Sequence, residues 1–297
     1  MKRILFILVL LFAMINNVSE RSVEVAAQVI REPKTDNSNA SRKEIRVSTT
    51  DEFIKTIGSN KTIKLAPGTY NLTQSKLANL PKGLSWEEVF DGKQLNLNGI
   101  KNLTIEGSGS KPSELIVEPR YAFVLNFTDS ANIKISNIKA GHSPGGYCSG
   151  GVFAFSSCKN INIDNTHMYG CGTEGLNLES VNNMTVSYSS IYQCTYQIMT
   201  VINSANINFK NCKFYDNKEF SLINLNKSKN IIMDACYFTD NHSSETFFGL
   251  GKNTNVVVKN SHFVNNQTKS LDASNSITFE NCNFKGNDWE HFNLRGE

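Results

Sequence analysis

Over its C-terminal two thirds the 297-residue chain lacks apolar residues at helical spacing, which excludes a helical bundle or helical repeat. It also lacks a Leu-x-x-Leu-x-Leu pattern, so a leucine-rich horseshoe is excluded. Neither sign of charge is in excess: 30 Lys and Arg stand against 27 Asp and Glu, for a net charge of +3. With no basic stripe, nucleic acid is not the expected partner. No apolar run is long enough to cross a bilayer. The longest, Ile4 to Ile15, has twelve residues behind Met1-Lys-Arg and fits a secretory signal instead. No cysteine follows that run, so lipid attachment there is excluded. There is no Cys-x-x-Cys pair among the seven cysteines, and stacked cysteines do not converge tetrahedrally, so a metal centre is not expected.

What the sequence does have is a repeat. Its clearest copy is Asn206-Ile-Asn-Phe-Lys-Asn-Cys-Lys-Phe-Tyr-Asp-Asn217, followed by Phe220-Ser-Leu-Ile-Asn-Leu225. An apolar strand end precedes the first apolar residue of the next copy by six positions at Leu97/Leu103, Phe127/Ile133, Phe155/Ile161, Leu178/Met184, Val201/Ile207, Leu225/Ile231, Leu250/Val256 and Leu271/Ile277. Asn stands just before the second member in all of these pairs but the last, where Ser276 replaces it. From Ile133 onward the copies recur every 21 to 28 residues, the period of a solenoid. Within a copy apolar and polar residues alternate, as in strands. Three short strands per turn, joined at Asn or Gly corners, describe a coil of a parallel β-helix with strands about 4.8 Å apart. Asn suits a corner because it tolerates left-handed backbone angles. Its amide can also bond to the same amide one coil away, building a ladder.

From about Leu95 to Leu294 the repeat resembles the right-handed parallel β-helix proteins of the pectate-lyase-like superfamily. The resemblance implies an all-β, right-handed solenoid of about eight to nine coils. It implies no single function, because such scaffolds host lyases, hydrolases, epimerases, adhesins and structural proteins. Residues 1–19 are expected to be a signal peptide and 20–45 a polar leader. Residues 46–94 hold a cap and an irregular insertion, and 95–297 the repeat domain. Within the cap, Thr49 or Asp51 starts a short helix with Phe53, Ile54 and Ile57 on one side, leading to Leu65-Ala-Pro-Gly-Thr-Tyr70. This resembles the superfamily's N-terminal cap, which covers the apolar end and open strand edges of the first coil. No amphipathic cap follows Leu294, so the C-terminal end is expected to be covered by a protein partner or left as a charged edge.

Cys212, Cys236 and Cys282 share one corner position with Thr166, Ser189 and Ser261, which reads as a stack of small inward side chains. Cys171 and Cys194 share another position, which Asn217, Asn241, Asn266 and Asn287 fill further on. One coil apart, Cys171 and Cys194 are within disulfide range.

The largest departure from the repeat is Gly141-His-Ser-Pro-Gly-Gly-Tyr-Cys-Ser-Gly-Gly151, an insertion that makes a loop on one side of the solenoid. It contributes His142 and Tyr147, and the next coil brings Glu174 beside it. His142 and Glu174 would form a proton-transfer pair if they share one pocket. The register also predicts that Tyr169, Tyr192 and Tyr215 point outward on three consecutive coils, offering faces and hydroxyls to sugar rings. Asp216 and Asp240 occupy equivalent outward positions, where two carboxylates repel and Ca²⁺ would relieve them. Pectate-lyase-like elimination needs acidic calcium ligands and a basic residue on the first-sheet face. The outward residues there are Asn126, Ala154, Asn177, Thr200, Asn224, Gly249 and Ser270, none charged. The Asn-Thr-Asp and Arg-Ile-Lys segments of polygalacturonase-like enzymes are also missing. Three readings follow: a secreted or cell-surface protein that binds a polysaccharide on its outer face, a lyase or hydrolase of unfamiliar type acting through His142 and Glu174, and a structural or adhesive surface protein.

Overall fold

The computed structural model describes residues 43–143, 149–170, 172–272 and 277–291. They belong to one compact unit, Arg42–Glu297. The chain winds as a right-handed parallel β-solenoid whose strands form three sheets along its length. Sheet 1 contains ten strands, beginning with Lys43–Val47 and ending with Ile277–Glu280. Sheet 2 contains nine, from Gly68–Asn71 to Asn283–Lys285. Sheet 3 runs from the antiparallel hairpin Leu84–Val89/Gly92–Asn98 through Leu125–Thr128, Gly151–Ser156, Glu174–Glu179, Met199–Ile202 and Ile223–Asn226 to the C-terminal coils. The turns number about seven, fewer than the eight or nine expected.

The corners show why so few residue types serve there. Asn102, Asn132, Asn160, Asn183, Asn206 and Asn230 all adopt left-handed φ between 55° and 63°. Asn137, Asn165, Asn211 and Asn260 are also left-handed, with φ between 42° and 58°, at the corner from sheet 1 to sheet 2. The residue that follows this second corner turns inward and returns its side-chain donor to the carbonyl two residues back. Thr166 donates to the carbonyl of Asp164 at 2.9 Å, Ser189 to Ser187 at 2.7 Å, and Cys212 to Lys210 at 3.4 Å. Cys236, Ser261 and Cys282 repeat the bond. One small donor satisfies one buried carbonyl, so Thr, Ser and Cys are interchangeable there.

Inside, like residues stack on like. The rings of Phe214, Phe238, Phe263 and Phe284 lie 4.5–5.0 Å apart and within 16° of parallel. Beside them, buried amides form a column: Asn217 Nδ2 donates to Asn241 Oδ1, Asn241 Nδ2 to Asn266 Oδ1 and Asn266 Nδ2 to Asn287 Oδ1, each at 2.9 Å. At the N-terminal end the helix Thr50–Thr56 is fixed by a capping box between Thr49 and Glu52, and Phe53, Ile54 and Ile57 are fully buried over the first coil. Lys43 already belongs to the first strand, within the stretch expected as leader, and the stretch expected to be irregular folds into the hairpin with Trp86 opposite Leu95.

The register places Asn126, Ala154, Asn177, Thr200, Asn224 and Gly249 in one outward column of sheet 3. Ser270, expected as the next member, lies opposite Thr246 instead. Leu271 therefore falls beside Phe247, three positions from where its six-residue spacing put it.

Candidate functional site

Two outer faces carry the residues singled out from the sequence. On sheet 2, Tyr169, Tyr192 and Tyr215 pair directly across three neighbouring strands. All three are half-buried. Tyr192 and Tyr215 have ring centroids 4.7 Å apart and planes 7° apart, and Tyr169 and Tyr192 are 5.7 Å and 25° apart. The rings therefore cover one another's faces, and Tyr192 is enclosed on both sides. What the row presents to solvent is ring edges and phenolic oxygens, not the open flat faces expected. Tyr169 leans past the neighbouring coil, and its hydroxyl donates to Glu114 Oε1 at 2.8 Å. Gly141 is the register partner of Tyr169 on the neighbouring strand, and a Cβ there would sit 3.0 Å from the Tyr169 ring and collide with its carbonyl oxygen; Glu114 stands in the next outward column, opposite Lys139. Burial raises the phenol pKa of all three, most for Tyr169, where the Glu114 carboxylate adds to it. They remain protonated donors at any physiological pH.

On sheet 3, Glu174 begins the strand Glu174–Glu179 and is only 3 % exposed. Asn177 Nδ2 donates to its Oε1 at 2.6 Å and Gln197 Nε2 to its Oε2 at 2.9 Å. Gln197 in turn accepts from Asn224 Nδ2 at 2.6 Å and donates to Thr200 Oγ1. Glu174 thus anchors a polar network running over three coils. Burial pushes its pKa up, while the bonds from Asn177, Thr200 and Gln197 pull it down. Tyr196 and Phe220, 5.4 Å apart, flank this face, and Phe220 is half-exposed.

His142 ends the strand Ile138–His142 and is 3 % exposed. Its Nε2 lies 2.9 Å from the carbonyl of Ala122, so that nitrogen carries the hydrogen. Nδ1 is buried with no hydrogen-bond partner. Burial lowers its pKa. The structure gives no hydrogen bond between His142 and Glu174; each is tied to partners of its own. Tyr147 lies outside the described residues, as does Cys171 and with it the disulfide expected with Cys194. Among the described residues no cluster of three or more His, Cys, Asp or Glu side chains gathers as a metal would require, and Asp216 and Asp240 stand at left-handed corners of adjacent coils.

Sequence reasoning missed Gln197, whose role depends on a corner where alternation breaks down. It also missed Glu114, two coils from its tyrosine partner. A third omission is the pair Phe90 and Tyr121, with centroids 5.0 Å apart beside the hairpin tip and Phe90 largely exposed.

The family model described as a right handed beta helix region matches residues 101–230. Among solved structures, a pectate lyase from Bacillus sp. N165 in complex with trigalacturonate superposes with a TM-score of 0.54 at 16% identity, covering 87% of this chain and 86% of that one. A pectate lyase from Xanthomonas campestris gives 0.54 at 13% identity, covering 87% and 83%, and one from Paenibacillus sp. 0602 gives 0.52 at 11%, covering 86% and 80%. The fold is that of the right-handed parallel β-helix proteins, the pectate lyases among them. No curated protein matches the sequence significantly. At these identities the likeness establishes the architecture of this β-helix and not its chemistry. Among the described residues no helix is long and apolar enough to cross a membrane.

Proposed function

We propose that this β-helix is an exported protein that binds a polysaccharide along its outer face, with Tyr169, Tyr192 and Tyr215 as the contact row. The observation that carries this reading is the alignment of three phenolic groups on consecutive coils. They repeat at the strand spacing, about 4.8 Å, which is close to the length of one sugar ring along a chain. A linear glycan lying along the axis would meet a phenolic oxygen at each unit, as an acceptor at Tyr169, whose hydrogen goes to Glu114. The stacked rings hold the hydroxyls in place, so little side-chain entropy remains to be lost on binding. Export rests on the apolar run Ile4 to Ile15.

The alternative is a polysaccharide lyase or glycoside hydrolase acting through Glu174 and His142. The raised pKa of the buried Glu174 favours it, because a general acid must hold its proton near neutral pH. Against it, both carboxylate oxygens are occupied by amide donors that favour the ionised form. A structural or adhesive role is the third reading.

The test is retention and product formation on a panel of immobilised neutral and acidic polysaccharides. Retention without new reducing ends or unsaturated sugars, weakened when the tyrosines are replaced, supports binding. New products would move the assignment to Glu174 and His142. No retention on any glycan would refute the proposal.

A further inference from the structure

A cleft of about 700 Å³ opens where sheet 1 turns into sheet 2, beside the tyrosine row. Its walls are the loop Gly107-Ser-Gly-Ser-Lys-Pro112 on one side and Lys139 and His167 on the other. Lys139 and His167 are register partners on neighbouring strands, one outward column away from Gly141 and Tyr169. His167 Nδ1 bonds to Ser190 Oγ at 2.8 Å, which holds the ring and leaves Nε2 for the cleft. Lys213 continues the same column one strand beyond Ser190.

Among the described residues the cations of this cleft form no ion pair, although Glu114 is the register partner of Lys139 on the neighbouring strand. Glu106, in the wall, is engaged by Lys64 at 2.9 Å, and Glu114 is engaged by the Tyr169 hydroxyl. Among the described residues no carboxylate lies within ion-pair distance of Lys111, Lys139 or Lys213. The loop adds backbone donors: Gly109 has a φ of +109°, and the amides of Gly109, Ser110 and Lys111 make no hydrogen bond to the protein. A turn of consecutive free amides is a concave anion site.

We infer that this cleft binds a tetrahedral anionic group, a sulfate or phosphate ester, carried on the glycan that the tyrosine row contacts. The inference rests on the reading of the row as a glycan-binding face. The donor set selects the shape of the anion. Planar carboxylates are best met by the two-pronged fork of arginine, and the cleft has none. Lysine point charges, the His167 imidazole and the loop amides line the cleft from more than one side, as suits three oxygens around one centre.

The test uses the exported chain and four matched polymers: dextran, carboxymethyl dextran, dextran sulfate and phosphorylated dextran, with inorganic sulfate and phosphate titrated separately by amide chemical shifts. The expected result is at least tenfold tighter binding of the sulfated or phosphorylated polymer than of carboxymethyl dextran at matched charge and 0.15 M salt. Which of the two esters binds more tightly identifies the source. Replacing Lys139→Gln and His167→Gln together should erase that preference while leaving the thermal unfolding midpoint in place. Lys139→Arg with His167 intact serves as a second variant that keeps the charge. Equal binding of the carboxylate polymer, or a preference untouched by the double variant, overturns the inference while leaving glycan binding standing. Shifts at Lys139 and His167 with free sulfate or phosphate, but no polymer retained, would uphold the anion site and sink the glycan-binding face. No shift and no retention would sink both.

Discussion

Replacing Asn241 by Ala removes the centre of the buried amide column, and the cost can be worked out bond by bond. Asn241 Oδ1 accepts from the Asn217 backbone N–H at 3.2 Å and from Asn217 Nδ2 at 2.9 Å. Its Nδ2 donates to the Phe214 carbonyl and to Asn266 Oδ1, both at 2.9 Å. After truncation, Asn217 Nδ2 keeps the Ile191 carbonyl and Asn266 Oδ1 keeps the Asn241 amide. The Phe214 carbonyl keeps its place in the sheet 2 ladder, so the buried Asn217 N–H is the group left without a partner. At the usual cost of one orphaned buried group the loss is about 1–3 kcal/mol. Asn241→Cys should cost less, because Cys194 fills the equivalent place two coils earlier, with its amide bonded to Asn217 Oδ1 at 3.1 Å. Urea unfolding gives both values from the shift in midpoint at constant slope. A loss below about 1 kcal/mol for Asn241→Ala, with the slope unchanged, would show that the column can be interrupted freely and that this bond count is wrong.

Two further predictions bear on the site. Tyr192→Phe keeps both stacked contacts and removes one hydroxyl, so it should weaken glycan retention several-fold with the unfolding midpoint unchanged; Tyr192→Ala should also lose about 1–3 kcal/mol of stability from two ring contacts. If Tyr192→Phe retains glycan like the parent, the row is a stacking device only. His142 predicts a pH dependence of stability. Its folded pKa lies below the ordinary 6.5 because burial opposes the charge, so on acidification the unfolded chain takes up a proton that the folded chain refuses. Its contribution is therefore present above pH 6.5 and is lost as pH falls below it towards the folded pKa. His142→Gln should flatten that stretch of the stability profile, and an unchanged slope would refute the assignment of Nδ1 as a buried, unpaired nitrogen.

The repeat was legible because corners restrict residue type so tightly. A left-handed φ calls for Asn or Gly, and an inward donor two residues past a carbonyl calls for Ser, Thr or Cys. These demands recur with each coil, so spacing alone placed the outward column from Asn126 to Gly249 correctly. It misplaced Ser270, because the six-residue rule assumes that each strand of sheet 3 begins at the same corner, and Gln267–Asp272 begins earlier. The hairpin Leu84–Val89/Gly92–Asn98 was missed for a related reason: its alternation is ordinary, but it belongs to no repeat. For the site, register sufficed to align Tyr169, Tyr192 and Tyr215. It could not say that the rings close on one another, since side-chain torsions are set by what the neighbouring coils leave open.

Gly141 shows how far that neighbour control reaches. An alanine at that position would occupy the space through which the Tyr169 ring leans, so the absent side chain lets Tyr169 cross diagonally to Glu114, which stands two coils away in the column of Lys139. The tilt of Tyr169 then accounts for the looser 25° stack on Tyr192, compared with 7° one coil later. Inward columns are fixed by packing whatever the protein does, but no core demand explains a glycine, a displaced tyrosine and a carboxylate linked on an outer face. Their coupling orients one phenol towards the end of the row nearest the lysine-lined cleft. A solenoid built for rigidity alone would have no need to break the regularity of its stack at that point.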